Sequence, residues 1–213
     1  MVGALIIALA LWGTMILRKR AAFRRVNWNP GLWMKTRESS ANVKSQTEID
    51  YHNRINIVAL KDDQIQLRWR VGWTGRGTVE PYIDNAGFSF SFEPAPIDPV
   101  HVLTITFDRP IHRRETVLLS FGLRTCADPN YPQQPFSSLL FNETKMPEEA
   151  RIEVTFDPGV GIEWVSREEY SSETSPWPLN PMERTKLGAG RTVSWPFKCV
   201  RGRRYGIRWQ YSI

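Results

Sequence analysis

The stretch "QIQLRWRV", residues 64–71, alternates strictly between polar and apolar side chains. Its apolar members are Ile65, Leu67, Trp69 and Val71. Successive side chains of a β-strand point to opposite faces, whereas a helix repeats every ~3.6 residues, so this alternation predicts a half-buried strand. Arg68 and Arg70 then lie on the outward face of that strand.

The same period of two recurs along most of the chain. It is found in "FSFSF" (88–92), "HVLTITF" (101–107), "TVLLSFGL" (116–123), "RIEVTF" (151–156), "TVSWPF" (192–197) and "RYGIRWQYSI" (204–213). Proline-rich connections such as "SPWPLNP" separate these segments and would interrupt a central strand. The sequence therefore predicts an all-β domain, an antiparallel, immunoglobulin-like β-sandwich or else a barrel. Helix is expected only in the first residues, with 147–151 as one other candidate.

The chain opens with an apolar run that is followed by positive charge. Residues 2–17 carry no charged side chain, and five basic residues come after them: Arg18, Lys19, Arg20, Arg24 and Arg25. A membrane-spanning helix needs about 20 apolar residues. The uncharged run is shorter than this, so the helix spans the bilayer only if the flanking basic side chains extend to the interface. Because basic residues next to a span stay on the cytoplasmic side, we predict a single transmembrane anchor over residues 1–23 in the inner or plasma membrane. The C-terminal domain is expected in the cytoplasm. A buried core helix and a hairpin with a further upstream helix are the alternatives.

Residues 24–45 are predicted to be a juxtamembrane linker, and residues 46–213 to be the β domain. Trp28 and Trp33 lie in the linker, next to an Asn-Pro-Gly turn. Tryptophan is enriched at the level of lipid headgroups, which favours a membrane-interface position for both residues and for the five basic residues before them. Packing of the two indoles beneath the β domain is an equal alternative.

The formal net charge of +6 is concentrated in two clusters that contain no acidic residue. The first follows the apolar run, and the second comprises Lys198, Arg201, Arg203, Arg204 and Arg208. The remainder is mildly acidic and lacks the broad basic stripe of proteins that bind duplex nucleic acid. We therefore expect no duplex nucleic acid among the partners.

Motifs for catalysis, metals and cofactors are absent from the sequence. Neither H-E-x-x-H, G-x-S-x-G, a P-loop nor a Cys/His metal spacing occurs, and the three histidines stand in different segments. We predict that the protein is not an enzyme and holds neither a metal nor a cofactor. Cys126 and Cys199 are the only cysteines. A cytoplasmic location favours the reduced form, and their pairing stays open.

Arginines on two predicted strands suggest a ligand site. Arg68 and Arg70 face outward on one strand, and Arg204 and Arg208 on another. Guanidinium groups bind phosphates through paired hydrogen bonds. If the two strands are neighbours, the four side chains form one anion-binding surface; the alternative is a solvated basic surface.

The layout of these parts resembles the membrane effectors of bacterial nucleotide-signalling antiphage systems. In that family an N-terminal anchor is combined with a cytosolic β domain. The resemblance implies that the β domain binds a cyclic oligonucleotide and that the membrane is the target. Two functions follow. The first is a membrane-tethered binding or assembly module that recognises a protein partner or a further copy of the chain; the alternative is a ligand-gated membrane effector that senses an anionic nucleotide.

Overall fold

The computed structural model describes residues 29–72, 76–94, 100–131, 134–141, 145–172, 175, 177–180, 183–187 and 191–212. The predicted anchor, the five basic residues after it and Trp28 lie outside these ranges. Within them the chain forms strands and no helix, so no helix there has the length and apolar character needed to cross a bilayer.

The all-β prediction is confirmed for this part of the chain. The strands are β1 (Leu32–Val43), β2 (Glu48–Ala59), β3 (Gln64–Gly72), β4 (Gly77–Ile83), β5 (Phe88–Pro94), β6 (Val100–Ile111), β7 (Thr116–Ala127), β8 (Phe136–Leu140), β9 (Glu149–Phe156), β10 (Ile162–Tyr170), β11 (Thr192–Phe197) and β12 (Arg204–Tyr211). The candidate helix at 147–151 is wrong, because β9 begins at Glu149.

The strands form three sheets. Sheet 1 has six strands in the order β11-β9-β1-β2-β7-β4, sheet 2 has the order β3-β6-β5, and sheet 3 has the order β10-β12-β8. Every pair of neighbouring strands is antiparallel except β1 and β9, which run parallel. Sheet 1 is therefore mixed, and the described strands neither close into a barrel nor form the two antiparallel sheets of an immunoglobulin domain. Strands β1 and β9 are far apart in sequence, and a parallel pair needs such a long connection.

Strand β1 corrects the predicted linker. Residues 32–43 pair with β2 on one side and with β9 on the other, so they lie in the interior of sheet 1. Trp33 is buried in this strand, and its indole N–H donates to the Met146 carbonyl at 3.0 Å. The Lys145 ammonium lies 3.1 Å from the centroid of the same indole. Trp33 thus packs within the β domain rather than at a membrane interface.

Sheets 2 and 3 cover the same face of sheet 1. The Trp69 ring of sheet 2 meets the Phe121 ring of β7 edge to face, with the ring centroids 5.2 Å apart. The Trp209 ring of sheet 3 meets the Phe156 ring of β9 in the same way at 5.7 Å. The strand registers place Phe121 and Phe156 on one face of sheet 1. The domain consists of two layers, with sheets 2 and 3 side by side in the second layer.

Arg37 marks the junction of sheets 2 and 3. It points from β1 into the core, where only 7% of it is exposed, because the guanidinium is enclosed by two rings. Its central carbon lies 4.2 Å from the Trp69 ring centroid and 4.9 Å from that of Phe141. Nη1 donates to the Leu140 carbonyl at 3.1 Å. A charged residue of sheet 1 therefore joins β3 of sheet 2 to the end of β8 in sheet 3.

The alternation of "QIQLRWRV" holds for three of its four apolar residues. Leu67, Trp69 and Val71 are buried in the core, whereas Ile65 is 51% exposed. The pairing of β3 with β6 shifts register between Gln64 and Gln66, which takes Ile65 out of the alternating pattern. The core position expected for Ile65 is therefore wrong.

Candidate functional site

The four arginines predicted to form one anion-binding surface lie in two sheets. Arg68 and Arg70 are on β3 of sheet 2, and Arg204 and Arg208 are on β12, the central strand of sheet 3. Because β10 and β8 flank β12, no strand of sheet 2 pairs with it. The strand pairing assumed for a single four-arginine surface is not present. Ligand binding by either pair of arginines stays a prediction.

Arg208 binds a carboxylate of its own sheet. Its Nε donates to both carboxylate oxygens of Glu168, at 3.0 and 2.9 Å. Glu168 is 1% exposed and also accepts hydrogen bonds from the hydroxyls of Ser166, at 3.0 Å, and Tyr170. Arg208 Nη2 donates to the Tyr170 hydroxyl oxygen at 3.0 Å. The carboxylate of Glu168 therefore occupies the position beside Arg208 that an anionic ligand would take.

Aromatic rings surround both arginines of β12. The guanidinium carbon of Arg204 lies 4.2 Å from the Tyr170 ring centroid, and that of Arg208 lies 4.7 Å from the Phe136 centroid. Gly206 stands between the two arginines, and a Cβ there would lie 2.4 Å from the Phe136 ring. The absence of a side chain at Gly206 lets the Phe136 ring approach the backbone of β12 closely. Burial, followed by the hydrogen bond to Glu168, raises the pKa of Tyr170.

Sequence reasoning missed a Ser-His-Asp cluster on the outer face of sheet 1. His52 Nε2 lies 2.9 Å from Asp84 Oδ2 and 2.8 Å from Ser120 Oγ, and the Ser120 hydroxyl donates to Asp84 Oδ2 at 2.8 Å. In a catalytic triad the two ring nitrogens face different partners, so that the base can take the serine proton. Here one nitrogen faces both partners and the serine proton points to the carboxylate. The cluster is a surface hydrogen-bond network rather than an activated nucleophile. The residues described also contain no group of three His, Cys, Asp or Glu side chains placed to hold a metal ion.

The outer edges of the three sheets differ in how they are protected. A sheet edge exposes unpaired N–H and C=O groups and can pair with another chain unless something blocks it. Five of the six edges carry a blocking feature within the described residues. These are Pro81 in β4, Pro196 in β11, Thr185 beside β10, Asn29 beside β3 and Arg37 beside β8. The remaining edge is that of β5.

Strand β5 pairs with β6 on one side, and no described strand pairs with its other side. Its sequence "FSFSFEP" has no basic residue, and its proline is the last residue. Ser89, Phe90 and Ser91 are exposed, Phe90 to 44%, although Phe90 lies on the same face as Phe88 and Phe92, which are partly buried and pack against the core. The apolar core therefore reaches solvent at this edge.

The alternation of backbone hydrogen bonds along β5 determines which N–H and C=O groups point to this open edge. The Asp108 N–H donates to the Gly87 carbonyl at 3.0 Å, so Gly87 and Asp108 form a hydrogen-bonded pair. Bonded and non-bonded pairs alternate in an antiparallel ladder, so Ser89 and Ser91 bond to β6. The backbone groups of the three phenylalanines of "FSFSF" point to the open edge. We term this edge, with the backbone groups of Phe88, Phe90 and Phe92, the β5 edge.

No protein-family model matches the chain, and no curated protein matches it in sequence.

Solved structures resemble the fold at low sequence identity. A candidate protease from Parabacteroides distasonis is 8% identical with a TM-score of 0.52, and the match covers 84% of this chain and 40% of that chain. An M1 zinc metallopeptidase from Deinococcus radiodurans is 12% identical with a TM-score of 0.45, and the match covers 84% and 42% of the two chains. This chain thus spans about two fifths of the length of those structures. The first match shows a shared β fold.

Proposed function

We propose that this protein is a membrane-tethered recognition module whose cytoplasmic β domain binds an extended segment of a partner protein at the β5 edge. One observation carries the proposal: among the residues that the structure describes, five sheet edges carry a blocking feature, whereas the β5 edge carries none. A protein that protects its other edges and leaves open one that has no basic residue presents a site for strand addition.

The mode of binding follows from which backbone groups of β5 point away from β6. A partner strand would bond to the outward N–H and C=O groups of Phe88, Phe90 and Phe92, and these main-chain bonds would supply affinity. Its apolar side chains would cover the exposed ring of Phe90, which is 44% accessible in the isolated domain. Partners with alternating apolar residues therefore fit this edge best.

The membrane part of the proposal rests on the sequence. The uncharged residues 2–17 and the five basic residues after them favour an anchor with the β domain on the cytoplasmic side. A tether of this kind would hold the β5 edge near membrane-bound partners and raise their effective concentration.

Binding is favoured over catalysis and over nucleotide sensing. The His52 ring meets Asp84 and Ser120 through a single nitrogen, which does not activate a serine. Arg208, one of the four arginines of the proposed nucleotide site, is paired with the buried Glu168. An anionic nucleotide would have to displace an internal carboxylate there.

Photo-crosslinking of the full chain in its own cells tests the proposal. A photoreactive amino acid replaces Ser89, which is exposed on β5, or as a matched control Thr78, which is exposed on the proline-blocked edge strand β4. We expect a discrete covalent adduct from position 89 and none from position 78. A mass of two chains would identify a second copy as the partner, and another mass a different protein.

A backbone variant shows whether the adduct depends on the β5 edge. Phe90→Pro removes an N–H that points to the open edge while leaving the bonds of Ser89 and Ser91 to β6. We expect the adduct from position 89 to fall about tenfold in this background, which corresponds to the loss of roughly one well-made contact. Equal adducts from positions 78 and 89, or an adduct that F90P leaves unchanged, would overturn the proposal.

A further inference from the structure

Three large apolar side chains are exposed close to one end of sheet 3. Trp177 is 77% exposed, Leu179 47% and Val200 42%. Trp177 is the most exposed of the large hydrophobic residues in the described part of the chain. Single exposed apolar residues are ordinary on a protein surface, but a group of them marks an interaction site.

Contacts of Glu169 and Arg203 bring the segments that carry Leu179 and Val200 together. The Leu179 N–H donates to the Glu169 carbonyl at 2.6 Å, and the Arg203 guanidinium forms an ion pair with the Glu169 carboxylate. The Arg203 N–H in turn donates to the Val200 carbonyl at 3.1 Å. Residues 177–180 and 198–204 thus adjoin the end of β10, and we term them the sheet 3 tip.

A further contact ties Trp177 to the start of β12. The Ser175 hydroxyl donates to the Trp177 carbonyl at 2.8 Å, and Arg204 Nη2 lies 3.5 Å from the Ser175 carbonyl. The loop with the exposed indole is therefore held against the first residue of β12.

The sheet 3 tip is basic as well as apolar. Residues 198–204, "KCVRGRR", contain four basic residues and no acid. Lys198 and Arg201 are exposed beside Val200. The one carboxylate in the contacts above, that of Glu169, is paired with Arg203. An exposed indole and exposed basic side chains therefore lie at the same end of sheet 3.

We infer that the sheet 3 tip docks on an anionic lipid surface. Tryptophan is the residue best suited to the headgroup level, because its ring is apolar and its N–H can still bond. Basic side chains near an anionic bilayer are attracted to it, each by about fivefold in the bound fraction. The inference concerns sheet 3, whereas the proposed partner site is the outer edge of sheet 2, so the two stand on separate observations. Docking would orient the β domain on the membrane.

Hydrogen exchange of the full chain in lipid nanodiscs tests this inference. One set of discs contains phosphatidylcholine alone, and the other contains phosphatidylcholine with phosphatidylglycerol. We expect amides at 177–180 and 198–202 to exchange more slowly in the anionic discs and to regain their rate at high salt, since salt screens exposed charges. Soluble glycerol phosphate added to neutral discs distinguishes docking on a lipid surface from binding of a free phosphate. We expect it to give no protection from exchange.

Variants identify the side chains responsible. Trp177→Ser should abolish the protection, and Lys198→Gln or Arg201→Gln should each lower the docked fraction about fivefold. Leu118→Ser is the matched control, because Leu118 is 45% exposed on β7 of sheet 1. Equal exchange in neutral and anionic discs, protection by soluble glycerol phosphate, or an effect of L118S equal to that of W177S would overturn the inference. None of these outcomes alters the crosslinking expected at the β5 edge.

Discussion

The side-chain amide of Asn29 makes the two hydrogen bonds to the Arg68 backbone that the backbone of a neighbouring strand would otherwise make. Its Nδ2 donates to the Arg68 carbonyl at 2.9 Å, and its Oδ1 accepts from the Arg68 N–H at 2.8 Å. Asn29 is almost fully buried, so these bonds replace water at the edge of β3. A single amide therefore occupies the outward backbone groups of Arg68, at the edge of sheet 2 that lies opposite β5.

Removing this amide should destabilise the domain. Asn29→Ala leaves both groups of Arg68 without their partner, and each lost bond costs about 0.5 to 1.5 kcal/mol in the free energy of unfolding. We expect a loss of about 1 to 3 kcal/mol in urea unfolding, with faster exchange of the Arg68 amide. Asn180→Ala is the control at an exposed asparagine and should change little. A urea midpoint of unfolding for N29A equal to that of the wild type would contradict this role.

Much of the fold could be predicted because alternation is a local property. The burial of Leu67, Trp69 and Val71 follows from the period of the sequence alone. Strand β1 was not predicted, because its inward positions include two polar residues, Arg37 and Ser39, both of which are buried. Arg37 is accommodated by the rings of Trp69 and Phe141, which come from distant parts of the chain. A local pattern does not contain that information.

The candidate sites show the same limit. The outward phase of Arg68 and Arg208 could be read from the sequence, but which strands pair depends on contacts between distant segments. The partner of Arg208 is Glu168, a residue of "REEYSSE" that by composition resembles a solvated loop. The β5 edge could not be predicted either, since an edge is defined by the strands that do not pair with it.

The pair of Glu168 and Arg208 should behave as a structural unit. Arg208→Met leaves the buried carboxylate of Glu168 without its cation, which costs about 3 to 5 kcal/mol when a buried pair is broken. Arg208 is 29% exposed in its side chain, so we expect the lower end of that range. The double variant Glu168→Gln with Arg208→Met should recover part of the loss, because no unpaired charge then remains. Urea unfolding of the two variants measures this coupling, and strictly additive effects would show that the two side chains act independently.

Alkaline pH should weaken sheet 3 through Tyr205. Burial, followed by the negative charge of Glu169, raises the pKa of Tyr205 above its usual value of about 10. A raised pKa means that the folded state favours the neutral phenol. The resulting stability is fully present below the usual pKa and is lost as the pH rises through the pKa of the folded state. We expect Tyr205→Phe to unfold with a smaller dependence on pH above about 10 than the wild type. Parallel stability curves for the two proteins in this range would contradict the assignment.

The β5 edge predicts an alternation that can be observed residue by residue. The N–H groups of Ser89 and Ser91 bond to β6, whereas those of Phe88, Phe90 and Phe92 point to the open edge. In the protein without a partner, exchange should therefore be fast at the phenylalanine amides and slow at the serine amides between them. Proline substitution is a second way to distinguish the outward phenylalanine amides from the serine amides bonded to β6, because it removes the N–H at one chosen position. Phe90→Pro should lower the free energy of unfolding less than Ser91→Pro, which also breaks a bond to β6. Uniform protection along β5, or equal costs of the two prolines, would show that another segment already covers this edge and that no partner strand can add there.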